Sequence, residues 1–262
     1  MTSRPSSTSP LSSSTSSVHS PSLFWIVVGL VLPSLVTWVY FEWLASQPSA
    51  WQQAAYALGK TAQFVLPLLF WRSLQNGAWN DRQPNIQSNV HRPMYARSIG
   101  FGLATGLAIA ALIVVLYHGL FKPMGLMEGP AIEARKKLIE MGLDDPWKLA
   151  CVAVFYSLIH AGLEEYYWRW FAFGALTRRT GVNAAALISS LGFMAHHVIL
   201  LARYFGWTSP LTLLFSVGVA VGGVIWAVLY RSTRTLAGSW LSHSIVDVAI
   251  FIVAFDLTGH AT

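Results

Sequence analysis

The sequence predicts an all-α fold, a polytopic transmembrane bundle of seven to eight spans around an intramembrane polar cavity. Composition is the first observation behind this: 54% of the 262 residues are hydrophobic and 11% are charged, against about 25% charged in a soluble domain. The mean hydropathy of +0.50 agrees. Second, apolar runs of about 20 residues recur, the length needed to cross a bilayer core. Third, many of the 12 tryptophans lie near the ends of those runs, where interfacial anchoring places them.

Residues 1–22 form a Ser/Thr/Pro tail that cannot bury a core and is expected to be disordered. It lacks the charged start and cleavage site of a signal peptide. The amino-terminal transmembrane helices occupy 23–121. The first span runs from Leu23 to Ala45 with a kink expected at Pro33. The second, Trp51 to Leu74, is less apolar and contains Lys60, read as a snorkelling or bundle-facing residue with a structural role. A polar loop, Gln75 to Arg97, leads to the third span at Ser98–Phe121, whose Gly100, Gly102 and Gly106 allow close helix contact. Residues 122–146 form an interfacial amphipathic segment. The remaining spans, within 147–257, are Trp147–Thr177, Val182–Tyr204, Pro210–Tyr230 and Thr235–Leu257.

The Lys/Arg bias favours a cytoplasmic amino terminus in the plasma (inner) membrane. Arg4, Arg72, Arg82, Arg92, Arg97, Arg178, Arg179, Arg231 and Arg234 then lie inside. Lys122, Arg135, Lys136, Lys137, Lys148 and Arg203 lie outside. The net charge of +6 suits an anionic bilayer surface. No basic groove interleaved with aromatics is present, so nucleic acid is not an expected partner. Cys151 alone cannot form an intramolecular disulfide and reads as a packing residue.

The most costly stretch is Glu164-Glu165-Tyr166-Tyr167-Trp168-Arg169, inside an apolar run. Glu165 and Arg169 share a face at i,i+4 and can neutralise one another, which leaves Glu164 without an evident partner. Glu164, Glu165, Arg169 and Asp247 together cost on the order of 10 kcal/mol if they enter a bilayer unpaired. Such a burden requires pairing, hydration or protonation. His197 and the His243/Asp247 pair lie at depths similar to Glu164 on straight helices at about 1.5 Å per residue, so all could meet in one cavity. His196 and His197 point about 100° apart, and at most one is expected to share that cavity. His160, one turn before Glu164, either tunes it or is a core histidine. Tyr156, Tyr166 and Tyr167 read as packing groups.

Glu164-Glu165-x-x-x-Arg169, Phe193-x-x-x-His197 and His243-x-x-x-Asp247, in this order on apolar helices, resemble the signatures of the CAAX protease and bacteriocin-processing family of intramembrane glutamic endopeptidases. The resemblance covers about residues 147–250. It implies that Glu164 is the general base activating a water, with His197 assisting. His243 and Asp247 would take the places of the oxyanion-stabilising pair, with Glu165 and Arg169 supporting. It implies no metal, no other cofactor and no acyl-enzyme. The implied substrate is a peptide or protein, including membrane-attached ones. Asp247 departs from the asparagine of the best-known members. An ionised carboxylate cannot donate to an oxyanion, so Asp247 either carries a proton or orients and charges His243. The i,i+4 geometry favours the second.

Two other classes remain. Glu164, His197 and His243 could make a zinc protease site, although no His-Glu-x-x-His occurs. A non-catalytic scaffold or immunity protein, or a proton-coupled transporter, would also keep intramembrane carboxylates.

Overall fold

The longest helix of the bundle carries the charged stretch. The computed structural model describes residues 23–69 and 91–259. The 1–22 tail, the end of the second predicted span, most of the 75–97 loop, and Arg4, Arg72 and Arg82 lie outside the described residues. Among the described residues there are eight helices and no strand. They are α1 (Leu23–Trp43), α2 (Ser49–Leu69), α3 (His91–Leu116, continued by a π turn to Phe121), α4 (Glu128–Glu140), α5 (Pro146–Thr180), α6 (Val182–Phe205), α7 (Pro210–Thr233) and α8 (Leu236–Leu257). Six of these, all but α2 and α4, are long and apolar enough to cross a membrane. The protein is an integral, multi-pass membrane protein. Helix α2 has 21 residues but is too polar for that count; with it, the bundle reaches the seven spans expected.

Local chemistry sets the helix ends. Asp145 Oδ1 accepts from the Trp147 amide at 2.7 Å and Pro146 follows at the first position, where a missing N–H costs nothing. Ser209 with Pro210, and Thr235, start α7 and α8 in the same way. Gly181, at φ 82°, makes the turn from α5 into α6; a side chain there would be strained.

Helix α5 spans 35 residues, about 50 Å at 1.5 Å per residue, more than the roughly 30 Å hydrocarbon core. It is not the straight helix assumed from sequence. Two π-helical stretches, Phe155–His160 and Tyr166–Phe173, flank a short α segment, Ala161–Glu165, which holds both glutamates. Such i→i+5 stretches concentrate at functional sites.

Packing fixes this helix at the centre. Tyr167, Trp168, Phe171 and Phe173 are buried at 1% exposure or less, and Tyr167 donates to the Gly29 carbonyl of α1 at 2.6 Å. Helix α3 lies along α8, where a Cβ on Gly102 would land on the Gly238 carbonyl. Gly106 faces Ser242 and Ile245, whereas Gly100 faces open space and takes no part. Hydrogen bonds from Thr105 to Ser242 (3.1 Å) and from the Gly238 amide to Ser98 Oγ (3.0 Å) close the seam. Outward faces carry exposed Leu107, Leu112, Val115, Leu213, Val217 and Val221, the surface that lipid covers. Helix α4 falls within residues 122–146 and buries no residue. Polar contacts tether it: Arg135 donates to the Thr258 carbonyl (2.7 Å), and Glu133 meets Arg203 (3.4 Å).

Candidate active site

The short α segment of α5 aims Glu164 and Glu165 into the bundle, where they are 3% and 0% exposed. A carboxylate buried this deeply needs partners, and three helices supply them. Glu164 Oε1 lies 3.4 Å from His196 Nε2 of α6 and 3.9 Å from His160 Nε2, one turn back on α5. Its other oxygen, Oε2, lies 3.8 Å from His243 Nε2 of α8. Glu164, which the sequence left without a partner, is thus faced by imidazole on three sides.

Glu165 Oε1 contacts Arg169 Nη2 at 3.2 Å, the i,i+4 pair expected, and also His243 Nδ1 at 3.0 Å. The second contact joins residues 78 apart in sequence, and no spacing rule predicts it. With Nδ1–H donated to Glu165, the His243 ring turns Nε2 between Glu164 and Asp247, whose Oδ1 is 3.7 Å away. His243 therefore touches three carboxylates. Trp226 of α7 fixes the ring's plane, stacking on it at 4.0 Å and 17° while its own Nε1–H donates to Ser242 Oγ at 3.0 Å.

Arg169 is fully buried, and its guanidinium lies 5.0 Å from the Phe193 ring and 5.3 Å from the Trp226 ring. Cation–π attraction supplements its ion pair with Glu165. Phe193 is the hub of the site. Its ring meets His196, His197, His243, Trp168 and Trp226, with centroids 4.6–6.0 Å apart. Trp226 gave no sequence signal beyond being an aromatic in an apolar run, and Phe193 entered only as a motif letter.

The expectation for the adjacent histidines is corrected. Both approach Glu164: one ring nitrogen from each, with one Glu164 oxygen, forms a set in which every pair lies within 4.8 Å. The reason is geometric. Two adjacent side chains about 100° apart on α6 can both reach one carboxylate that sits between their directions, and Glu164 is such a carboxylate. His196 makes the nearer contact and stacks flat on Trp168, 5.7 Å between centroids at 2°. His197 Nδ1 is 2.9 Å from the Phe193 carbonyl. A carbonyl only accepts, so Nδ1 carries the proton and Nε2 keeps a lone pair. The compact metal-like set is correspondingly Glu164, His196 and His197, rather than Glu164, His197 and His243.

The arrangement offers a proton acceptor (Glu164), a neutral imidazole nitrogen beside it (His197) and a ring held among carboxylates on the opposite side (His243). That is the equipment for moving a proton from water at a polarised carbonyl. Residues 146–249 match the family model described as type II CAAX prenyl endopeptidase Rce1-like. No curated protein and no solved structure matches the chain. The matched segment runs from the first residue of α5 into α8 and contains every group just described, and over it the chain is similar to that family.

Proposed function

We propose that the protein is an intramembrane endopeptidase that hydrolyses a peptide bond with water activated by Glu164, in the manner of a CAAX-type protease. The observation that carries this reading is the Glu164 carboxylate, 3% exposed and faced on three sides by His160, His196 and His243. Glu164 takes a proton from water as the oxygen adds to the peptide carbonyl. His197 Nε2 accepts the water's second O–H and holds it in line. The oxyanion develops toward His243, whose Nε2–H donates to it when the ring is doubly protonated; Glu165 and Asp247 are the counter-charges that such a cation needs. Glu164 then returns its proton to the leaving nitrogen as the C–N bond breaks, giving a carboxylic acid and an amine. Asp247 orients and charges His243 rather than donating itself.

In this reading, residues 147–257 are the catalytic core, and the helices of 23–121 with the interfacial segment 122–146 shape access. The substrate is a peptide or protein delivered within or at the bilayer. The Lys/Arg bias supports a cytoplasmic amino terminus. The test is cleavage of a panel of prenylated and unmodified peptides by protein reconstituted in bilayer discs. Glu164→Ala and His197→Ala should each silence it, and cleavage persisting in both would overturn the assignment.

A second reading rests on the Glu164, His196 and His197 set. One carboxylate and two imidazoles within 4.8 Å are a donor set that zinc accepts. Cleavage abolished by a chelator and restored by zinc would select it; chelator-insensitive cleavage would exclude it.

A further inference from the structure

Charge is sorted between the two ends of the bundle. At one end α3 begins, α5 passes into α6 and α7 passes into α8. That end carries Arg97, Arg178, Arg179, Arg231 and Arg234 and, among the described residues, no aspartate, glutamate or lysine. The opposite end mixes signs: Lys122 pairs with Asp256, Lys137 with Glu140 and Arg203 with Glu133.

Side-chain contacts draw the arginine-bearing helix ends together. Tyr230 of α7 meets Phe173 of α5 at 6.3 Å between ring centroids, close to where both helices end. Ser98 of α3 donates to Thr233 Oγ1 of α7 at 3.1 Å and accepts from the Gly238 amide of α8 at 3.0 Å. Arg97 and Arg234 are the chain neighbours of Ser98 and Thr233, so they flank one contact. Both are exposed. The Arg97 guanidinium lies 6.0 Å from the Phe101 ring, itself 50% exposed on the outward face of α3. The stem therefore runs along lipid-facing surface, and the head reaches the level where the span ends and headgroups begin.

Two ordinary reasons for cations at such a place fall short. Helix dipoles favour them in the last turns of α5 and α7, but disfavour them near the start of α3, where Arg97 stands. Topological bias accepts lysine as readily as arginine, and the opposite end uses both, whereas this end uses arginine alone among the described residues. Arginine differs in gripping phosphate with two parallel N–H donors, which an ammonium cannot do. Arg234 also holds a costly backbone. It closes α7 at φ 57°, the one non-glycine residue in the left-handed region among the described residues, at a position that glycine ordinarily takes.

The lack of carboxylates narrows the ligand. A zwitterionic headgroup would bring an ammonium that no described acid at this end could meet, whereas an anionic headgroup brings none. We propose that the ends of α3, α5 and α7 form a site for the phosphate headgroup of an anionic phospholipid, centred on Arg97, Arg231 and Arg234. The site is separate from Glu164 and independent of the endopeptidase reading.

The test measures energy transfer from tryptophan in the detergent-solubilised full chain to pyrene-acyl phosphatidylglycerol and pyrene-acyl phosphatidylcholine. Phosphatidylglycerol should bind at least about 10-fold more tightly. Each Arg→Gln substitution should weaken it about fivefold, and Arg97→Gln/Arg231→Gln/Arg234→Gln on the order of 100-fold, with phosphatidylcholine unchanged. Lysine at the same three positions should recover only part of the loss, since charge returns without the fork. Lys136→Gln/Lys137→Gln, at the opposite end, should leave phosphatidylglycerol binding as it was. Equal binding of the two lipids by the native chain would overturn the site, even if the triple variant fails to fold. Full recovery with lysine, or an equal loss from the opposite-end variant, would also overturn it, leaving only a general surface field.

Discussion

Replacing Glu165 by glutamine removes one charge and almost no volume, and the structure sets what that does. Glu165 Oε1 is the counter-charge of Arg169 at 3.2 Å, with both side chains at 1% exposure or less. Glutamine still accepts from His243 Nδ1, so that ring keeps its orientation, but the guanidinium is left buried without its counter-charge, facing a neutral amide and the Phe193 and Trp226 rings. Breaking one partner of a buried ion pair costs about 3–5 kcal/mol. At roughly 2–4 °C per kcal/mol for a chain of this size, the melting temperature should fall by about 6–20 °C. Removing the stranded charge as well should reverse the loss, so Glu165→Gln/Arg169→Met should melt above Glu165→Gln alone. The assay is thermal unfolding of the purified protein in one detergent, followed by tryptophan fluorescence. A Glu165→Gln variant that melts within about 2 °C of the wild type, or a double variant below the single, would refute the reasoning.

Two further outcomes follow from other contacts. Asp247→Asn keeps the shape but removes a charge 3.7 Å from His243 Nε2; cleavage should slow about tenfold, a change of roughly 1.4 kcal/mol, and equal turnover across the pH range would exclude an ionised role for Asp247. Gly102→Ala drives a methyl group into the Gly238 carbonyl, and the α3–α8 seam should lose about 1–3 kcal/mol in an unfolding titration, whereas Gly100→Ala, in open space, should change nothing measurable.

Spans and seams read well from sequence because they depend on local rules. An apolar run of about 20 residues can only cross the bilayer as a helix. Ser209-Pro210 and Asp145-Pro146 mark starts by capping chemistry, and Glu165 with Arg169 pair because i and i+4 share a face. Contacts between helices are another matter. Spacing says which residues share a face, not which helix that face meets or how the helices cross. Hence the Glu165–His243 contact, the stack of Trp226 on His243 and the joint approach of His196 and His197 were not legible. Nor were the two π stretches of α5, since no residue type marks an i→i+5 ladder.

The account turns on Glu164 as the group that takes the proton from water. Glu164→Gln is nearly isosteric and leaves His160, His196 and His243 in place, so peptide binding should persist. Single-turnover cleavage in bilayer discs should fall about 10²- to 10⁴-fold, the usual contribution of a positioned general base. Cleavage by Glu164→Gln within about threefold of the wild-type rate, far below that range, would contradict the account.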